Sequence, residues 1–372
     1  DFKFDGDDLI VYSLNYTDMS VRIKDFVSGD LGITLNGPPN NTSDADDTIN
    51  GDSSVNIIDA GYGYDTISAG GGDDTINAGH GDDFITGGTG ADTINGGGGN
   101  DTASYSGSSA AVNVNINSSN AQSGGDAAGD ILYHIENIIG SDYNDTITGN
   151  YFNNFLIGGA GADAIDGGDG IDTISYASSA VVVKVNLETA NLEWGAYGDS
   201  VVNVENVVGS AFGDDLTAID TGSTINGGDG NDTINGGDGD DILYGDNGDD
   251  TFYAGDGDDT IYGGAGADFI YSQGGNNILI GGAGADGFNG FSGVATADYT
   301  ASGAAVNINL LTNVNTGGDA QGDLLYGVPN IIGSYLNDTI IGDNFSNNLY
   351  GGGGDDLLMG IGYGGNHMDG GD

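Results

Sequence analysis

Aspartates recur at nine-residue spacing in the clearest stretch of this 372-residue chain: Asp65, Asp74, Asp83, Asp92 and Asp101. A carboxylate on the shortest acidic stem is a hard oxygen donor. A column of such donors calls for a hard cation rather than for a reaction. Other chemistry has little to work with. Cysteine is absent, and the three histidines (His80, His134, His367) are too scattered to suggest a transition-metal or proton-transfer site. Neither an H-E-x-x-H nor a G-x-S-x-G motif occurs. The acidity is also selective: of 57 acidic residues only four are Glu, namely Glu136, Glu188, Glu193 and Glu205. Four basic residues leave a formal charge of −53, which excludes nucleic acid as a partner.

The elements that must position these carboxylates are short. Read in nines from Ala60 to Ser104, the chain runs AGYGYDTIS, AGGGDDTIN, AGHGDDFIT, GGTGADTIN, GGGGNDTAS. Gly holds positions 2 and 4, Asp holds position 6, and position 8 is Ile67, Ile76, Ile85, Ile94 or Ala103. The glycines permit positive φ and close backbone approach. The triplet after the Asp is too short for a helix and suits a strand whose central side chain points inward. One apolar residue in nine makes no core alone, but it lines a stacked coil. Two nonapeptides per coil place Asp65 over Asp83 and Asp101 on one edge, with Asp74 and Asp92 on the other. Neighbouring coils lie roughly 4.8 Å apart. Unit charges that close repel by about 1 kcal/mol in water and about 4 kcal/mol at an effective dielectric of 20. Stacking therefore needs cations, and without metal the chain is expected to be expanded and largely disordered. Flexible coordination by six to eight oxygens favours Ca²⁺ over Mg²⁺, which demands near-octahedral geometry.

The nine-residue frame fills four blocks, 23 repeats in all. An N-terminal β-hairpin-like unit over 1–40, with a turn near Asn15–Asp18, precedes block one (41–104). Block two is 140–175, block three 209–289 and block four 333–372, which ends on the opening of another repeat. Starting without Met, the chain reads as a segment of a longer protein. Between blocks lie three copies of a longer repeat, the interludes 105–139, 176–208 and 290–332. Each opens on an alternating strand, passes a loop ending in Gly-Asp (Asp130, Asp199, Asp323) and closes on Asn137, Asn206 or Asn330. That Asn is expected to bridge backbone groups. Pro329 stands where the other copies have Glu136 and Glu205, so a shared catalytic role for these Glu is not expected.

The G-G-x-G-x-D-x-U-x nonapeptide is a recognised signature, and the chain matches it. The chain resembles the RTX (repeats-in-toxin, haemolysin-type) calcium-binding repeats of secreted bacterial proteins. The resemblance implies an all-β fold, a parallel β-roll or β-helix solenoid with calcium at each turn, and export by a type I secretion apparatus. In that family the position-6 Asp ligates the ion together with carbonyls of the Gly-rich turn. The role carries over to Asp65, Asp74, Asp83, Asp92, Asp101, Asp145, Asp163, Asp172, Asp214, Asp232, Asp241, Asp250, Asp259, Asp268, Asp286, Asp338 and Asp356. Weak or empty turns are expected at Asn56, Asn154, Ser223, Asn277 and Asn348. One ion for each pair of same-edge turns gives about 15 Ca²⁺, which would cancel about 30 charges and leave roughly −23.

The expected function is structural and non-enzymatic: a secreted or cell-surface calcium-binding rod of a surface layer, filament, sheath or adhesin that folds on meeting Ca²⁺ outside the cell. Self-association is an expected partnership, and calcium bridging to an acidic polysaccharide or a surface glycan is another. No apolar stretch of about 20 residues exists to span a membrane. The alternative is the repeat module of a secreted enzyme or toxin whose catalytic domain lies outside this chain. Position 9 of block three places Tyr244 and Tyr262 on one face and Tyr253 and Tyr271 on the other. Such ladders could stack on sugars or pack on a neighbour, although Tyr is also simply a good strand former. N-D-T triplets match the glycosylation sequon but fall where the repeat itself requires Asp then Thr.

Overall fold

The structure is a computed structural model. It describes residues 46–371 apart from 197, 291, 363 and 364, together with the strands Phe2–Asp5, Asp8–Tyr12 and Ser20–Ile23. Those three pair antiparallel, Phe4 with Leu9 and Leu9 with Ile23. The turn expected near Asn15–Asp18 lies outside the described residues.

The rest is a parallel β-solenoid. Among the described residues, helix is confined to two single 3₁₀ turns, Gly125–Ala127 and Gly318–Ala320. Two units divide the chain, Asp1–Gly170 and Ile171–Asp372. In the first, Thr48–Asn50, Thr66–Gly71, Phe84–Thr89 and Thr102–Ser104 stack in parallel, as do Ile57–Tyr62, Thr75–His80 and Thr93–Gly98. Successive coils register Ile67 on Ile85 and Ile76 on Ile94, the eighteen-residue step of two nonapeptides per coil. In the second unit the step recurs as Ile225, Leu243, Ile261 and Leu279 on one side and Leu216, Ile234, Phe252 and Ile270 on the other. These position-8 side chains form the core and have almost no exposed surface. Their neighbours at positions 7 and 9 face outward, as the period of two requires.

Each interlude is one enlarged coil that keeps the register. Thr102 pairs with Asn137 and Thr93 with Ile131; Thr173 pairs with Asn206; Thr296 pairs with Asn330 and Gly287 with Leu324. In two copies the closing Asn takes a backbone N–H of the next coil, Phe155 on Asn137 Oδ1 at 2.9 Å and Thr224 on Asn206 Oδ1 at 2.6 Å; in the third, Asn330 Oδ1 instead accepts the Asn348 side-chain amide at 2.8 Å.

Glycine fills most of the left-handed turn positions, with Asp246 (φ +68°) and Gln273 (φ +52°) taking position 2 in two turns of the third block. Gly88 has φ +95°, and a Cβ there would overlap the carbonyl oxygen of Gly70 one coil back; Gly90 has φ +143° and stands the same way over Gly72. Both the left-handed backbone and the close approach exclude a side chain.

Candidate metal centre

Sixteen of the seventeen position-6 Asp assigned from the sequence are buried, at 0–3% exposure; Asp356, in the last block, is half-buried. Along the columns, one oxygen of the carboxylate has a backbone partner. Asp65 N–H donates to Asp83 Oδ1 at 2.8 Å, and Asp83 N–H to Asp101 Oδ1 at 2.9 Å. On the opposite edge Asp74 N–H donates to Asp92 Oδ1 at 2.8 Å. In the second unit the column runs Asp214, Asp232, Asp250, Asp268, Asp286 at 2.7–2.9 Å per step. Each of these carboxylates is thus pinned by the coil before it.

The other oxygen is the unusual one. Oδ2 of Asp65, Asp74, Asp83, Asp92, Asp101, Asp232, Asp241, Asp250, Asp259, Asp268, Asp286 and Asp356 is buried with no hydrogen-bond donor. It points into the glycine turn of its own repeat: a Cβ on Gly87 would lie 2.5 Å from Asp92 Oδ2. Carbonyls of the coil before, such as those of Gly70 and Gly72, project toward the same turn. An orphaned anionic oxygen beside crowded carbonyls, with glycines where side chains would fill the gap, is a cradle for a hard cation. Among the described residues no three His, Cys, Asp or Glu side chains converge. The donor set is therefore one carboxylate oxygen plus backbone carbonyls. This suits Ca²⁺ and does not suit the imidazole- or thiolate-seeking metals. Bound Ca²⁺ would supply the positive charge that these residues lack.

The electrostatics agree. Burial raises the pKa of Asp83 and Asp92 to about 6 and of Asp101 to about 7; the backbone N–H on Oδ1 offsets part of this, and neighbouring carboxylates add to it. Asp232, Asp241, Asp268 and Asp286 are lifted to about 7, and Asp250 and Asp259 to about 6, for the same leading reason. These groups resist ionising in the folded chain unless a cation answers them.

Three of the seventeen assigned carboxylates have different surroundings. Asp145, Asp214 and Asp338 already receive the N–H and Oγ–H of the position-2 serine, Ser141, Ser210 or Ser334. Asp163 and Asp172 lie in Gly-rich turns, where Asp163 Oδ1 accepts the Asp145 N–H at 2.8 Å. In the turn 342–350 the buried residue is Asn347 rather than Asn348. Asn348 is the first residue of the following strand, one place along, and faces outward.

Several site features escape a reading of the repeat. A second ladder runs at position 5 in the opposite direction: Ala91 N–H donates back to Asp73 Oδ1 at 3.0 Å, Asn100 N–H to Asp82 at 2.9 Å and Asp258 N–H to Asp240 at 2.8 Å. The frequent Asp-Asp and Asn-Asp pairs are its signal. Glu136 and Glu205 end columns, each accepting the N–H of the last block Asp, Asp101 or Asp172. Asp130 and Asp323 do so on Asp92 and Asp286, and their second oxygens take the hydroxyls of Tyr105 and Tyr299. The tyrosine ladders form, but Tyr244 stacks on Tyr262 at 4.8 Å and 7°, and Tyr253 on Tyr271 at 5.0 Å and 5°. Each stack covers one face of each of its two rings. The histidines sit apart, His80 stacked on Tyr62 and His134 bonded to Asn95.

A family model described as the RTX calcium-binding nonapeptide repeat matches residues 50–85, 68–103, 139–174, 220–252, 253–288 and 332–360, just over half of the chain. The unmatched stretches contain the three interludes but for residues 139 and 332. No curated protein matches the chain.

Proposed function

The chain belongs to the RTX calcium-binding nonapeptide repeat family, and on that premise we propose that it is an extracellular, non-catalytic structural protein whose fold is completed by Ca²⁺ after secretion. The observation that carries this is the row of buried, donorless Oδ2 atoms at position 6. A chain built so that its fold lacks charge balance until it meets abundant calcium is suited to folding outside a cell, following type I export. Ions on the order of a dozen would be held, fewer than the roughly 15 that pairing every same-edge turn gives.

Assembly into a layer, filament or sheath is supported by the outward surface. Tyr143, Tyr151, Phe152, Phe212, Tyr335 and Phe345 are large apolar side chains left in solvent. Such groups are candidates for contact with other copies of the chain or with a cell-surface glycan. No helix among the described residues is long and apolar enough to cross a membrane. Electron microscopy of the calcium-loaded protein at high concentration tests assembly: ordered arrays are expected, and only isolated monomers would reject it. Service as the repeat module of a secreted enzyme or toxin remains the second reading. A catalytic domain in the same open reading frame would establish it.

A further inference from the structure

Some turns of the solenoid already contain their own substitute for a cation. In the Gly-rich turns of 60–101 and 227–286 that carry Asp at position 6, the buried Oδ2 has no donor. In six of the seven described turns with Ser, Asn or Asp at position 2, two bonds recur; the seventh, at Asp246, is left-handed (φ +68°) and leaves Asp250 Oδ2 without a donor. In the six, the position-2 backbone N–H donates to the position-6 side chain, and the position-2 side-chain oxygen accepts the N–H of position 4. Ser141 donates to Asp145 and accepts from Tyr143 at 3.1 Å. Asn150 donates to Asn154 at 2.7 Å and accepts from Phe152 at 2.8 Å. Ser210 donates to Asp214 at 2.5 Å and accepts from Phe212 at 3.2 Å. Ser334 does the same with Asp338 at 2.6 Å and Leu336 at 3.1 Å, and Asp343 with Asn347 at 2.9 Å and Phe345 at 2.8 Å. Asp52 and Asn56 form the sixth, at 3.2 Å, with Ser54 N–H on Asp52 at 2.7 Å. Where position 6 is Asn, its amide also donates to nearby oxygens: Asn154 Nδ2 reaches Glu136 O at 2.7 Å, and Asn347 Nδ2 reaches Asp343 Oδ1 at 3.2 Å. An N–H or O–H stands where the Gly-rich turn needs a metal ion.

The placement of these turns is systematic. Five of the six lie in the first coils after the interludes: 140–157, 209–226 and 333–350. The remaining turn of those coils, at Ser223, is closed by the Ile219 N–H on Ser223 Oγ at 3.3 Å. Each interlude in turn satisfies a carboxylate with a tyrosine hydroxyl: Tyr105 on the buried Asp130 at 3.0 Å, Tyr176 on the half-buried Asp199 at 3.1 Å and Tyr299 on the buried Asp323 at 2.8 Å.

We propose that each interlude, together with the coil that follows it, is a cation-independent folding unit that keeps its order when calcium is withdrawn and templates the Gly-rich turns when calcium returns. Once its strands are formed, each neighbouring coil needs only to add to a preformed edge, so the costly nucleation is made without metal. This rests on the Gly-rich turns being the cation sites.

Hydrogen exchange of the whole chain, read by mass spectrometry with calcium and with chelator, tests it. In chelator, amides of 141–157, 206–226 and 330–350 should exchange at least about tenfold more slowly than those of 61–101 and 228–288. Equally fast exchange in both sets would overturn the proposal while leaving calcium-dependent folding intact. Equally slow exchange in both would overturn calcium-dependent folding itself, and the proposal with it. The variant S210G/F212G turns the 209–217 turn into a Gly-rich one. It should fold in calcium but lose protection at 206–226 in chelator, leaving 141–157 protected. Unchanged protection at 206–226 would contradict the role assigned to Ser210.

Discussion

At the residue scale the position-6 aspartate has two separate jobs, and its two oxygens divide them. Oδ1 locks one coil to the next through a backbone N–H, while Oδ2 is buried without a donor and is the atom we propose for an ion. Replacing Asp250 by Asn keeps the first job and removes the second. The chain already does this at Asn277, whose amide donates to the carbonyls of Ser272 and Gly274 and whose Oδ1 accepts the Asp259 N–H at 2.8 Å. Asp250→Asn should therefore stay folded in calcium yet bind about one ion fewer by equilibrium dialysis; Asp250→Ala should also lose the clamp on Asp232 N–H, lowering stability in calcium by about 2 kcal/mol.

Protons compete with calcium at the same atoms. Burial raises these folded-state pKa values to about 6 or 7. An unfolded Asp titrates near about 4, so the penalty of charged burial is absent below about pH 4 and is complete above about pH 7. In chelator, β signal should be greater at pH 5 than at pH 8. Calcium affinity should move the other way and fall as pH drops. A chelated chain equally unfolded at both pH values would contradict the raised pKa values.

At the scale of the element, the nine-residue strand-and-turn depends on left-handed positions that glycine fills in most repeats and on close backbone approach between coils. Gly255 has φ +103° and faces the carbonyl of Gly237, whereas a Cβ added at Gly107 would meet nothing within 4 Å. Gly255→Ala should destabilise the calcium form by about 1–3 kcal/mol and weaken binding, with Gly107→Ala near neutral in the same chemical denaturation series. Much of this element is legible in the sequence. The period of nine gives the eighteen-residue register, the inward Ile67 and Ile85, and the buried Asp at position 6. The rest depends on which atom faces which. A sequence frame shows that Ser210 replaces Gly but not that its N–H points at Asp214. It shows Glu136 beside Asn137 but not that Glu136 ends a column that passes through Asp65. It shows an Asp-Asp pair but not that the two side chains clamp in opposite axial directions. Counted in nines from Gly333, position 6 of the turn 342–350 is Asn347, the residue that is buried, so the expectation at Asn348 is one place off the frame itself.

At the scale of the whole molecule, charge and order are one problem. With 57 acidic and four basic residues, stacking concentrates like charge along both edges of the coil. The interludes interrupt those columns, and each interruption is closed by hydroxyl and amide donors rather than by metal. Calcium dependence should accordingly be graded along the chain, deepest in the block 228–288 and least beside the interludes. The most direct measurement is far-UV circular dichroism of the full chain in chelator followed by a calcium titration. The expected result is a mostly disordered spectrum with a minor β component, converting to a β-rich one as millimolar calcium is added and not with equal magnesium. A β-rich spectrum in chelator at neutral pH, unchanged by calcium, would contradict the claim that the donorless aspartate oxygens are cation sites on which the fold depends.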